Sequence, residues 1–339
     1  MVCFLNDYNS IGHKDIVNKL LELSNETNIG YGLDKHTINA KKLIQKEIGN
    51  SDADIYFLSG GTITNKIGLA QMLRPYEAII CVDSGHINVH ETGAVESNGH
   101  KILTVKGIDG KINSSLILSV LKEHEDFHKV LPRCVYISNS TEIGTIYNKK
   151  ELEEIYKVCK DNNLYLFIDG ARLGCALECD ENDLSLKDIA KCCDMFYIGG
   201  TKNGAPLGEA LIILNNDLKK GFSYLLKNQG GLLAKGFVAG IIFEEFFKDN
   251  LYYKNAKNSV EMAKKLRNVF KKHNISEAYI NPTNQVFVNL DSKQFLKLKD
   301  KVLFEKWEEN NNYIVSRFVT NFNTTNEDID ELDTILSNI

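Results

Sequence analysis

No basic run long enough to hold a nucleic acid occurs in this sequence, and its formal net charge is −5. Neither a polyanion nor an anionic membrane surface is therefore expected as the main partner. No apolar stretch approaches the roughly 20 residues that a membrane span needs. Repeats, low-complexity segments and proline-rich linkers are absent, and the 339 residues hold only four prolines. The opening stretch, MVCFLNDYNSIGHKDIV, lacks the basic-then-apolar pattern of an export signal and the arginine-rich pattern of an organelle leader. With eight cysteines and no such signal, reduced thiols and a cytoplasmic location are expected. Cysteine pairs at zinc spacing are missing too. Cys175, Cys179, Cys192 and Cys193 cluster in CALEC and KCCD, but two are adjacent and no C-x-x-C occurs. They are read as small buried hydrophobes, and no metal is expected.

What is present suits a soluble enzyme acting on small molecules: 43% hydrophobic and 25% charged residues, in a chain long enough for two domains. Short β-rich runs recur, each ending in small or polar residues: IYFL (55–58), AIICVD (78–83), KILTVK (101–106), CVYIS (134–138), LYLFID (164–169) and MFYIG (195–199). Helix-like stretches such as NSSLILSVLKEH and NKKELEEIYKVCKDNN separate most of them. That alternation predicts βαβ crossovers and a mainly parallel sheet. A seventh run, GEALIIL (208–214), follows after only GTKNGAPL, too short a link for a parallel crossover. It is expected to run antiparallel. Beyond about residue 240, charged amphipathic helices and two strand candidates, NQVFVNL and NYIVSRFVT, predict a smaller α+β domain. The expected division is a large domain over 1–245, including the N-terminal segment, and a small one over 246–339.

In an open α/β sheet, ligands bind beyond the carboxyl ends of the strands. The first run delivers Ser59, Gly60, Gly61 and Thr62 there, just before a helix. Glycines at such a turn let backbone N–H groups approach an anion, which the positive end of the helix also attracts. It is neither a Walker A loop nor a dinucleotide fingerprint, so a nicotinamide dehydrogenase is disfavoured. The second run delivers Asp83, Ser84 and His86, the fifth Asp169 and Arg172, and the sixth Thr201 and Lys202. A phosphate cup, a lysine able to form a Schiff base and a carboxylate able to keep a pyridine nitrogen protonated are what pyridoxal phosphate chemistry requires.

The segments HINVHETGA, FIDGARLG, GGTKNGAPLGEA and QGGLLAKG resemble those of threonine aldolases and related β-eliminating lyases, PLP-dependent enzymes with the aspartate aminotransferase fold (type I). The resemblance covers most of the chain, from FLNDYNS to SRFVTNFNTTNEDID. It implies a seven-stranded, mainly parallel sheet with one antiparallel strand, in agreement with the run count above. It further implies Lys202 as the Schiff-base lysine and Asp169 as partner of the pyridine nitrogen. Gly60, Gly61 and Thr62 would hold the phosphate and His86 would stack on the cofactor ring. Arg172 would lie near the phenolic oxygen and the substrate carboxylate, and Arg317, in VSRFVT, would bind that carboxylate. Asn6 and Tyr31 would line the substrate pocket, with Tyr31, Gln229 and Lys235 offered by a neighbouring subunit of a homodimer or homotetramer.

The implied reaction is cleavage of threonine or a similar β-hydroxy amino acid to glycine and an aldehyde. β-Elimination or transamination on the same scaffold, or a catalytically silent binding protein, are the alternatives. The presence of Lys202 with Asp169 speaks against the last. The chain departs from the resemblance at Thr141, where many relatives carry a second histidine. The base for the substrate hydroxyl is left open among His86, His90, a water between them, and Glu142.

Overall fold

The structure, a computed structural model, describes residues 1–338. In chain order its strands are β1 (Val2–Cys3), β2 (Asp54–Leu58), β3 (Glu77–Val82), β4 (Lys101–Val105), β5 (Leu131–Ser138), β6 (Tyr165–Asp169), β7 (Met195–Gly199), β8 (Glu209–Ile213), β9 (Glu277–Tyr279), β10 (Gln285–Leu290), β11 (Val302–Leu303), β12 (Glu305–Glu309) and β13 (Ile314–Val319). The seven runs expected from the sequence are β2 to β8, and they form one sheet in the order β2-β8-β7-β6-β5-β3-β4. β8 is antiparallel to both its neighbours, β2 and β7, whereas the remaining pairs are parallel. The short link between β7 and β8 permits a reversal and no crossover.

Helices cover both faces of this sheet, which is why its strands read as nearly unbroken apolar runs. Alternation along each strand sorts the side chains between two cores. Leu166, Ile168, Phe196 and Ile198 join the core under Lys35–Ile48, Lys149–Asp161 and Phe237–Lys248. Tyr136, Phe167, Met195 and Tyr197 join the opposite core under Gly61–Met72. Asp169 lies two residues beyond Phe167 on the same strand. The period of two therefore turns its carboxylate toward Tyr136, Tyr197 and the helix Gly61–Met72. Gly170 follows because a Cβ there would lie 1.8 Å from the carbonyl oxygen of Tyr197, closer than any side chain can approach.

A second, antiparallel sheet has the order β12-β13-β10-β9. It packs with the helices Leu251–Lys272 and Asn326–Ser337 around Phe270, Phe318 and Leu332. The two strand candidates of the C-terminal part are β10 and β13, flanked by β9 and β12. The charged helical stretch is two helices, parted at Asn250, whose φ is 58°. Residues at the start of the chain belong to this layer as well. β1 pairs in parallel with β11, and Val2 and Phe4 are buried in its core. The chain then crosses to the large sheet, carrying Asp7 and Tyr8 to the boundary between the layers.

Candidate active site

Two adjoining cavities, of about 360 and 290 Å³, open at the carboxyl ends of β5, β6 and β7. Ser59, Gly60, Gly61 and Thr62 border the first, together with Asp169 and Lys202. The second is bordered by Glu305, Trp307 and Arg317 of the small sheet, and His86, His90, Arg172 and Lys202 border both. The structure thus brings Lys202, Asp169, His86, Arg172, Arg317 and the glycine turn to one place. Asp83 and Ser84 stay outside it, with Asp83 Oδ1 accepting from the Ser84 amide at 3.0 Å. Asn6 borders neither cavity and accepts from the Tyr8 amide at 3.1 Å. Tyr31 is also outside, at φ 61° beneath the Lys227 ammonium.

Asp169 is the most constrained carboxylate of the site. Its Oδ1 accepts from Tyr197 Oη at 2.5 Å and the Ala171 amide at 3.0 Å. Its Oδ2 accepts from Tyr136 Oη at 2.5 Å and Asn65 Nδ2 at 2.9 Å. Burial pushes this carboxyl upward, but the charge of His86 and these hydrogen bonds outweigh it and hold the group below the ordinary aspartate range. Asn65 also donates to Glu91 Oε1 at 2.7 Å, and His86 Nδ1 meets the same oxygen at 2.8 Å. Glu91 therefore sets the orientation of the His86 ring and leaves Nε2 to the cavity.

Lys202 sits in the turn Thr201–Asn203, between β7 and β8. Burial and the neighbouring Arg172 lower its amine below the ordinary lysine range, against the pull of Asp7, Asp169 and Glu209. The carboxyl of Glu209, 4% exposed, is pushed up to about 7 by burial although the Gly200 amide donates to it at 2.7 Å. The result is a nucleophilic amine with a proton acceptor of near-neutral affinity close by.

Both arginines are paired within the chain. Arg172 Nε and Nη2 donate to Asp7 Oδ2 and Oδ1 at 2.7 and 3.0 Å, a bidentate pair. Arg317 Nη2 pairs with Glu305 and Nη1 donates to Gln285 Oε1 at 3.0 Å. Its guanidinium lies 4.9 Å from the Trp307 ring, and its Nε has no partner. Sequence reasoning missed Asp7, Glu91, Asn65, the two tyrosines and Glu305. Asp7 and Glu91 lie inside the segments FLNDYNS and HINVHETGA, but nothing local tells a buried carboxylate from a solvated one.

Residues 4–293 match the family model described as beta-eliminating lyase. The low specificity L-threonine aldolase of Pseudomonas aeruginosa is 36% identical over 210 residues, 60% of each chain. The chain thus spans 60% of the length of the first curated relatives that it matches. A solved threonine aldolase structure from Leishmania major superposes with a TM-score of 0.98 at 41% identity, covering 100% of this chain and 99% of that one. Aspartate aminotransferase of Thermus thermophilus, at 9% identity over 100% of this chain and 91% of its own, superposes with a TM-score of 0.72 and shares the fold.

The Asp7–Arg172 pair yields a stability test. Asp7→Asn leaves a guanidinium only 11% exposed without its counter-charge, which costs about 3–5 kcal/mol at neutral pH. Burial raises the Asp7 carboxyl, but Arg172, Lys202 and Asn284 bring it below the ordinary range. The folded value being the lower one, the contribution is complete above the unfolded carboxylate pKa and is lost only as pH falls through the folded value. Urea denaturation therefore shows a wild-type advantage that is constant from neutral pH to the ordinary carboxylate range and closes below it. No gap at neutral pH, or a gap already closing there, contradicts the pairing.

Proposed function

Because the chain belongs to the beta-eliminating lyase family, we propose that it is a pyridoxal phosphate enzyme cleaving L-threonine, or a similar β-hydroxy amino acid, to glycine and an aldehyde. The observation that carries this reading is that Lys202 and Asp169 border one cavity with the turn Ser59–Thr62. The threonine aldolases among its relatives supply the reaction class.

Several features support the cofactor. The helix Gly61–Met72 begins at the cavity with no side chain capping it, so its first N–H groups are available to a phosphate. A Cβ on Gly60 would meet nothing within 4 Å and would stand in the space a phosphate needs. Ser140 Oγ and Glu142 Oε2, on residues bordering the same cavity, are shielded from solvent without partners. Gly60, Gly61 and Thr62 would hold the phosphate, Lys202 would be the attachment point, and Asp169, ionised, would keep a proton on the ring nitrogen. His86, steadied by Glu91, would lie against the ring. When bound, pyridoxal phosphate supplies a cationic conjugated ring that accepts the electron pair of a bond broken at Cα.

The chain's own residues then decide which bond breaks. Arg317 and the part of Arg172 not held by Asp7 would fix the substrate carboxylate, which orients Cα–Cβ for cleavage. The hydroxyl proton needs an acceptor. His90 is kept below the ordinary histidine range by burial and by His86, and His86 has Nδ1 committed to Glu91. Glu142 suits the task best. Ser138 Oγ donates to its Oε1 at 2.7 Å and the His86 amide at 3.0 Å, while Oε2 is free. Burial raises this carboxyl above the ordinary glutamate range, which makes it a stronger base. As the C–O double bond of the aldehyde forms, the hydroxyl proton passes to Glu142, and one proton is returned to Cα to complete glycine.

The same reading includes a homodimer or homotetramer and a division of the chain near residue 245, corrected at the start of the chain, where Val2 and Phe4 pack in the C-terminal layer and not in the large domain. Ile29, Tyr31 and Leu33 are exposed, and Tyr31, Gln229 and Lys235 border neither cavity of their own chain, as suits residues offered to a neighbour. A cytoplasmic setting suits eight unpaired cysteines; among the described residues no helix is long and apolar enough to cross a membrane.

Loaded with cofactor and given L-threonine, the protein releases glycine and acetaldehyde in equal amounts, and Lys202→Ala abolishes this. Ammonia with 2-oxobutanoate identifies elimination instead and overturns the reading. Glu142→Gln slows cleavage roughly 100-fold or more. Exchange of the glycine Cα proton in deuterated water, followed by NMR, changes by less than about threefold because no hydroxyl is involved. Equal loss of both reactions makes Glu142 a structural support.

A further inference from the structure

β8 enters the large sheet at Glu209, which pairs with Leu58 on one side and Gly199 on the other. Leu58 is the last residue before the turn Ser59–Thr62, and Gly199 the last before the turn that carries Lys202. The period of two along β8 puts Glu209 on the face of Leu211 and Ile213, whose core under Gly61–Met72 also takes Tyr197. The residue is buried, borders the first cavity with Thr201 and Lys202, and accepts from the Gly200 amide at 2.7 Å. That amide asks only for an acceptor, which a glutamine would supply without bringing an ionisable group into a dry place. The fold alone therefore gives no reason for an acid here.

We propose that Glu209 is a positioning residue that acts through Lys202: the two groups hold one proton between them, and its place decides when the amine is a nucleophile. The inference rests on the reading that Lys202 is the attachment point of the cofactor. Burial pushes the Glu209 carboxyl up to about 7, while burial and Arg172 bring the amine down, so the two affinities converge and each charge stabilises the other. When an N–H bond of Lys202 breaks to free the amine, the carboxylate loses its neighbouring cation and binds a proton more tightly. The O–H bond formed at Glu209 balances the N–H bond lost, and the reverse exchange restores the ammonium. The other charged groups around the pair do not serve. Burial pushes Asp7 and Asp169 up, but Arg172 and His86 respectively, with hydrogen bonds, hold them below the ordinary aspartate range. Both therefore stay ionised wherever the amine titrates, and Arg172 keeps its charge. Tyr197, and Tyr252 of the helix Leu251–Lys272, feel the charge of Glu209 and are pushed well above the ordinary tyrosine range by burial, so they stay neutral. His86 and His90 border the same cavity and must be told apart from Glu209 by the test.

Competitive labelling with acetic anhydride reads the amine directly in the full-length cofactor-free protein, with the peptide containing Lys202 quantified by mass spectrometry from about pH 5 to about pH 11. Ionisation of Glu209 raises the proton affinity of the amine as the pH rises, so the wild-type curve is broader than that of a single site. Glu209→Gln keeps an acceptor for the Gly200 amide and removes the charge. Its curve narrows to a one-site form and moves to lower pH, and near pH 8 Lys202 labels about threefold faster or more. Glu209→Asp retains a charge and keeps the broad curve. A one-site curve in the wild type overturns the proposal without any variant. A broad curve that survives Glu209→Gln assigns the breadth to His86 or His90 and overturns it too, and a curve altered alike by Asp and Gln makes Glu209 a structural support. A protein that shows the coupled curve but takes up no pyridoxal phosphate leaves the coupling intact and removes only the cofactor reading.

Discussion

The buried carboxylate of Asp169 is the constraint on which the rest of the site depends. A charge 3% exposed is tolerable only where hydrogen bonds replace its lost hydration. Four donors do so here, from β5, β7, the following amide and the helix Gly61–Met72. Each must arrive from a different element, so the strand order β7-β6-β5 and the placement of that helix are requirements of the charge as much as of the core. The same helix presents its N-terminus to the cavity. Its Asn65 ties Asp169 to Glu91 and hence to His86, so the glycine turn, the buried carboxylate and this histidine are fixed relative to one another by one element.

A second regularity concerns the cations. Arg172 and Arg317 each arrive with a carboxylate from the same chain, but the two pairs differ in kind. Asp7 is 1% exposed and grips two nitrogens of Arg172, which makes that arginine part of the wall. Glu305 stands more open and engages Arg317 at one nitrogen, with Nε left over. Arg172 is thus held on two nitrogens, whereas one nitrogen of Arg317 is left without a partner. The route of the chain explains the pairing. Residues before Asp7 are anchored in the C-terminal layer, and Glu305 begins an edge strand of that same layer. Both carboxylates reach the rim of the large sheet from the small one.

Much of this was legible in the sequence. The period-two apolar runs and the nine-residue gap between β7 and β8 carry the sheet and its reversed strand, and strand-end chemistry carries Lys202, Asp169 and the glycine turn. Other parts were not, for physical reasons. β12 reads EKWEE with mostly exposed residues, so neither alternation nor apolarity marks it as a strand, and Glu305 looks like a solvated charge. Asp7 acquires its meaning only from Arg172, and Glu91 only from His86 and Asn65, contacts that no local pattern encodes. Tyr136 and Tyr197 read as core aromatics and are that as well; only the register of β5 and β7 with β6 turns their hydroxyls to Asp169.

The central claim is that Lys202, beside Asp169, is the amine to which pyridoxal phosphate attaches, and borohydride reduction of the cofactor-loaded protein followed by peptide mapping tests it most directly. The account predicts one modified lysine, in the peptide containing GGTKNGAP, with that modification lost in Lys202→Arg. A label on any other lysine, or none after incubation with the cofactor, contradicts it.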